Sequence, residues 1–162
     1  MKTADQINFA VHNIYVKDVS FEAPNSPMVF AFEWKPKLNF DIEVGRVKLE
    51  DNLFEVVIAV TVQVLVDQQE NKQLHDSVAF LVEVKQAGIF SVEGITDDAQ
   101  IEHILSTSAP AVLFPYARQL ISGLVTHGSF PQLIIPPMNF DALYKKHLSE
   151  QTQTTAAQET IA

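Results

Sequence analysis

The stretch LFEVVIAVTVQVLV (53–66) decides the fold. From Phe54 to Val66 every even position is apolar, while Glu55, Thr61 and Gln63 fall on the other side. Period two belongs to a strand, because successive side chains point to opposite faces of a pleated backbone. The density of β-branched residues favours a long strand over a helix.

Three further segments read the same way. KLNFDIEV (37–44) alternates Leu38, Phe40, Ile42 and Val44 with Asn39, Asp41 and Glu43. SVAFLVEVKQ (77–86) forms another strand, and FAVHNIYVKDVSFE (9–22) a fourth whose alternation slips near Asn13, where a β-bulge is expected. Short links, 45–52 and the polar tip DQQENKQLHD (67–76), suit an antiparallel sheet. APNSP (23–27) and WKP (34–36) interrupt the chain after the first strand and leave an extended crossover.

From Asp97 the periodicity becomes helical, with Asp97 or Asp98 as cap and Ile101, Ile104 and Leu105 on one face. Pro110 and Pro115 are expected to break or kink this helix, and Gly128 to end it. Asn139 or Asp141 opens a last helix, FDALYKKHL. On a wheel, Leu113, Phe114, Ala117, Leu120, Ile121, Leu124 and Val125 cover an arc of roughly 140°, wider than the ~100° stripe that faces one core. Val112 and Tyr116 widen it, and only Arg118, Gln119, Ser122 and Thr126 make a polar strip. A helix apolar on most sides is covered on most sides, here by its own sheet and by another subunit. The expected fold class is α+β, a four-stranded antiparallel sheet with a long and a short helix packed on one face. The domain spans 9–148, between a flexible N-terminus (1–8) and a Gln-, Thr- and Ala-rich disordered tail (149–162).

Composition narrows the function. The chain has 162 residues, enough for one domain with a real core. It has no cysteine, which fits a reducing compartment. No run approaches the ~18 apolar residues of a membrane span, and no signal peptide is visible, so the expected location is the cytoplasm. Twenty acidic against 11 basic residues give a formal charge of −9. That argues against nucleic acid and anionic lipid and suits a basic protein partner, while the missing apolar run argues against direct membrane insertion. No phosphate-binding glycine motif occurs, the five histidines never take metal-ligand spacing, and there is no nucleophile motif. The expectation is no enzyme, no cofactor and no metal.

Four segments carry a resemblance. KDVSFEAPNSP (17–27), EVKQAGIFSVEGI (83–95), LFPYARQLISGLVTHGSFPQL (113–133) and PMNFDALY (137–144) resemble the SecB family of bacterial export chaperones, from about Ile14 to Leu148. Two departures stand out: the 67–76 tip looks longer than usual, and family cysteines are missing, with Val82 where some relatives carry one. The resemblance implies a dimer of dimers that sandwiches its long helices between two sheets. It also implies an ATP-independent holdase that keeps precursor proteins unfolded and delivers them to the SecA motor.

The resemblance maps the family's client groove to Phe30, Trp34, Leu38, Phe40, Ile42, Phe130, Met138 and Tyr144. Leu38, Phe40 and Ile42 serve equally well as core residues; Trp34, in a Pro-flanked loop, is the better groove candidate. Asp18, Ser20 and Glu22 share one side of the strand at 9–22, and Leu81 and Glu83 one side of the strand at 77–86. They match the family's SecA-contact positions, which implies that Asp18, Glu22, Leu81 and Glu83 meet the basic, zinc-bearing tail of that motor. Val82, Val84 and Gln86, with Leu113, Leu120 and Leu124, are the expected subunit contacts, the plain core being the other reading of the first three. Two alternatives stay open: a SecB-like chaperone of a toxin–antitoxin system, and a small-molecule carrier or isomerase on an α+β cone.

Overall fold

The computed structural model describes residues 6–67 and 77–159, the last seven by their backbone alone. The expectations for the extreme N-terminus, for most of the 67–76 tip and for the last three residues lie outside it. Four strands, β1 (Asn8–Glu22), β2 (Lys37–Glu50), β3 (Leu53–Leu65) and β4 (Val78–Glu93), precede two helices, α1 (Asp98–His127) and α2 (Phe140–Glu159). All strand pairs are antiparallel, in the order β1-β4-β3-β2. The link between β1 and β2 carries a short 3-10 turn, Met28–Ala31, held to β4 by Asn25 Nδ2 donating to the Val78 carbonyl at 2.8 Å.

Period two sorts the sheet into an inner and an outer face. Val56, Ile58, Val60, Val62 and Val64 of β3 lie beside Val82, Val84 and Phe90 of β4 on the inner face, and all are buried. Onto this face α1 lays Leu105, Ala109, Leu113, Ala117, Ile121 and Val125, one residue every fourth position. The stripe packs tightly at Gly88, where a Cβ would stand 2.8 Å from Phe90 Cε2 and 3.0 Å from both the Asn13 carbonyl oxygen and Leu113 Cδ2. Even alanine would force these neighbours to shift.

Several boundaries differ from the sequence reading. Pro110 and Pro115 lie inside an uninterrupted α1. The buried stripe runs through both in register. Leu105, Leu113, Ile121 and Val125 each contribute about 1.5–3 kcal/mol on burial. That offsets the ~3 kcal/mol a mid-helix proline costs. β2 continues past Gly45 to Glu50 and β4 past Gly88 to Glu93, because cross-strand bonds carry the backbone through residues that weaken a local pattern. The expected link 45–52 therefore shrinks to a turn at Asp51 and Asn52. α2 extends through Glu159, so residues 149–159, expected to be disordered, are helical; Glu, Gln and Ala there are good helix formers. The irregularity expected near Asn13 is a register shift between Val11 and Asn13, and a second follows between Val16 and Asp18.

The helix ends follow local chemistry. Asp97 Oδ1 accepts from the Ala99 amide at 3.1 Å and caps α1. Asn139 Oδ1 accepts from the Ala142 amide at 3.0 Å at the start of α2. Gly128 closes α1, but with φ −73; the left-handed residue is Ser129, φ 63. The glycine is needed for space, since a Cβ there would stand 2.5 Å from Phe21 Cζ.

Candidate functional site

The expected client residues fall into two neighbourhoods on the helix side, with Leu38, Phe40 and Met138 apart from both. In the first, five rings from four segments meet: Phe21 of β1, Phe30 and Trp34 of the crossover, Phe80 of β4 and Phe130 of the connector after α1. Phe130 is the hub, with ring centroids 4.8 Å from Phe80, 5.3 Å from Phe30, 5.7 Å from Trp34 and 6.5 Å from Phe21. Such tilted pairs add about 0.5–1.5 kcal/mol beyond burial. Phe130 is itself buried, a correction to its place among open groove residues: it supports the wall rather than presenting it. Phe30 is 49% exposed and Trp34 half-buried, so these two offer the aromatic surface.

The second neighbourhood is a groove between β2 and α2. Leu38, Phe40, Ile42 and Val44 stand opposite Val64, Val62, Val60 and Ile58, which puts all four on the inner face of an edge strand. There α1 covers them only in part; Leu38 is exposed and Phe40 and Ile42 half-buried. Ile42 and Val44 with Leu143, Tyr144 and Leu148 line a groove of about 770 Å³. Its α2 wall is tied to α1 by His103 Nε2 and Asp141 Oδ1 at 2.9 Å, and by the His103 ring set edge-on to Tyr144 at 5.4 Å. The Asp141 carboxyl is held low by Lys145 and then by His103. Met138 lies instead in a shallow hollow beside Thr107, Ala111 and Phe140.

The outer face brings the second set together. Glu22 stands opposite Leu81, Ser20 opposite Glu83 and Asp18 opposite Lys85. Cross-strand neighbours lie about 5 Å apart, so the four expected motor contacts form one patch. Ser20 Oγ donates to Glu83 Oε2 at 3.4 Å. The rungs continue through Thr61 and Gln63 to Asp41 and Asn39, widening an acidic surface with Lys85 within it. Nearby, Glu55 accepts a short hydrogen bond from the Tyr15 hydroxyl and pairs with Lys17 at 2.9 Å. Burial, and then the carboxylate, push the Tyr15 hydroxyl up to about 12. The bonds from Tyr15 and then Lys17 hold the Glu55 carboxyl low.

The expected subunit contacts divide. Leu113, Val82 and Val84 are at most 1% exposed in the single chain, packed between α1 and the sheet, with no surface left for a second copy. Gln86 is buried too, its Nε2 donating to the Tyr15 carbonyl at 3.0 Å. Leu113, Val82 and Val84 are corrected to core residues: they face the side that α1 itself covers, whereas Gln86 also lines the hollow that holds Leu120 and Leu124. Leu120 and Leu124 lie on the far flank of α1, half-buried, with exposed Tyr116 and with Ile14 and Val16 of β1 along one hollow.

Nothing in the sequence signals that Phe21 and Phe80 join Phe130, since three separate segments must first fold together. Asp41 and Glu43 were readable as outer-face acids by period two. The ion pair of Arg46 with Glu102, which crosses from β2 to α1, had no signal because residues 45–52 read as a loop.

Among the described residues no group of three or more His, Cys, Asp or Glu is placed to hold a metal, and no helix is long and apolar enough to cross a membrane. An α+β sheet with helices on one side, open apolar grooves there and an acidic opposite face defines a scaffold for binding extended polypeptide. The profile of the family described as "Preprotein translocase subunit SecB" matches residues 2–151. The protein-export protein SecB of Idiomarina loihiensis is 43% identical over 96% of this chain and 88% of its own length. That of Legionella pneumophila is 44% identical over 96% and 90%, and that of Actinobacillus succinogenes 46% over 92% and 86%. A Mycobacterium tuberculosis SecB-like chaperone, solved with a peptide from an antitoxin, shares the fold at a TM-score of 0.63 and 13% identity, over 81% of this chain and 91% of that one. The chain belongs to the SecB family, and its role is that of a protein-export chaperone. The toxin–antitoxin alternative is not favoured, since the likeness in that direction is one of fold alone.

Proposed function

We propose that this chaperone works in the cytoplasm as a tetramer, a dimer of dimers. It holds unfolded precursors on the helix side of its sheets and offers the outer faces to SecA. Binding, not catalysis, does the work, and no nucleotide, metal or cofactor takes part. The observation that carries the reading is the opposition of the two surfaces: Phe30, Trp34, Ile42 and Tyr144 lie on the helix side, Asp18, Glu22, Leu81 and Glu83 on the other. A precursor and a basic motor tail then occupy one molecule together. Client affinity per groove is modest, because an unfolded chain loses entropy on ordering, and several grooves in one tetramer restore it by avidity. The flank of α1 formed by exposed Tyr116 and half-buried Leu120 and Leu124 supports the oligomer.

The test is Asp18→Ala with Glu22→Ala. Both residues are exposed on the outer face, so folding and precursor binding should be unchanged while binding of the zinc-loaded SecA tail is lost in calorimetry at low salt. Unchanged tail affinity would remove the outer face from the account.

A further inference from the structure

Strand register places Asp18, Glu22, Asp41, Glu43 and Glu83 together on the outer face, with Lys85 in their midst. Two lysines of this face differ in standing. Lys17 is paired with Glu55 at 2.9 Å. Lys85 is exposed and, among the described residues, forms no ion pair or side-chain hydrogen bond. Asp18, Glu22, Asp41 and Glu43 are exposed and unpaired in the same sense.

The register also fixes which acids Lys85 reaches. It shares a rung with Asp18, Ala59 and Glu43. Asp18 is its direct cross-strand neighbour, about 5 Å away. Glu83 lies two residues along the same strand, at about 7 Å, and Glu43 two strands across, at about 10 Å. Glu22 is four residues farther along β1, roughly 14 Å from Lys85. Charges on a wet surface interact over about 10 Å at 0.1 M salt, so Lys85 acts on Asp18 most and on Glu22 least.

We propose that Lys85 is a specificity-determining residue of the outer face: it weakens the landing of a basic partner tail and shifts the weight of binding from Asp18 to Glu22. This role presupposes the outer face as the motor's landing surface, as proposed above. A cation brought against Asp18 meets the like charge of Lys85, and a cation at Glu22 does not. The chain's charge of −9 still draws a basic tail in from a distance, while Lys85 limits how tightly it is held. A tail held less tightly leaves more readily once a precursor has been handed over.

The test is calorimetry of the zinc-loaded SecA tail on the full chain at about 0.1 M salt. Lys85→Gln should tighten binding about threefold, the scale of one exposed charge pair. Lys146→Gln makes the same change of net charge on α2, on the helix side, and should alter affinity by less than about 1.3-fold. In the intact chain Asp18→Asn should weaken binding less than Glu22→Gln. On the Lys85→Gln background the cost of Asp18→Asn should rise about twofold and that of Glu22→Gln should stay the same. All these residues are exposed, so circular dichroism should show each variant folded. Unchanged or weaker binding by Lys85→Gln, equal tightening by Lys146→Gln, or an Asp18→Asn cost that ignores the background would each overturn the role of Lys85. Asp18→Ala with Glu22→Ala separates the two levels. If that variant keeps full tail affinity, the outer face is not the landing surface and the role of Lys85 falls with it. If it loses affinity while Lys85→Gln changes nothing, only the role of Lys85 falls.

Discussion

Tyr15 and Glu55 give the sheet a titratable clamp between β1 and β3. Glu55 sits below its ordinary value of 4.5, so its contribution to stability is present above that value and lost as pH falls through the lowered one. Tyr15 is raised from 10.0 to about 12, so its contribution is complete below 10 and lost as pH rises toward 12. In urea unfolding across pH, Tyr15→Phe should remove the alkaline loss and flatten the acid one; an unchanged alkaline arm would show that the clamp contributes nothing. A second pair of residues separates packing from binding. Phe130→Ala should cost about 3–5 kcal/mol, as for a large ring removed from a core, while Phe30→Ala should cost about 1 kcal/mol or less yet weaken precursor binding. Equal stability losses would contradict the division between hub and open surface. Phe130 also marks what a linear sequence leaves out. Its apolar character was legible, but its four ring partners come from segments that meet only in the folded chain.

At the scale of elements, period two read β3 correctly along nearly all its length, because one face is buried and the other is not. The same rule ended β2 and β4 too early, at Gly45 and near Gly88, where cross-strand pairing rather than side-chain pattern carries the strand. Two prolines suggested a broken helix, and a buried stripe in steps of four overrode them. The width of the apolar arc on α1 was a sound observation, yet it did not separate the inner stripe from the outer flank: Leu113 turns inward, and Leu120 and Leu124 turn out. That flank yields a prediction. Leu120→Glu with Leu124→Glu should leave the single-chain fold intact by circular dichroism and lower the mass in light scattering, from four times the 18.1 kDa of one chain to a smaller species. A full-size tetramer from this variant would move the subunit contact elsewhere.

For the whole molecule, the opposition of two surfaces matters more than any single residue. Helices on one side of a twisted sheet leave apolar grooves beside them, and the uncovered side must be polar to face water. This chain makes that side acidic, and Asp18, Ser20 and Glu22 of β1 and Leu81 and Glu83 of β4 were readable as sharing faces because strand periodicity fixes which residues lie on one side. Which inner residues would remain open was not readable, since it depends on how far two helices extend over four strands. The faces are separated by the thickness of the sheet, so their ligands should bind independently. The most direct measurement is calorimetric titration of the zinc-loaded SecA tail into this protein, free and then saturated with an unfolded, transport-competent precursor. The two affinities should agree to within about twofold, as for sites that share no partners, and both should fall steeply with salt. Exclusion of the tail by bound precursor would contradict this, because the two ligands would then compete for one surface.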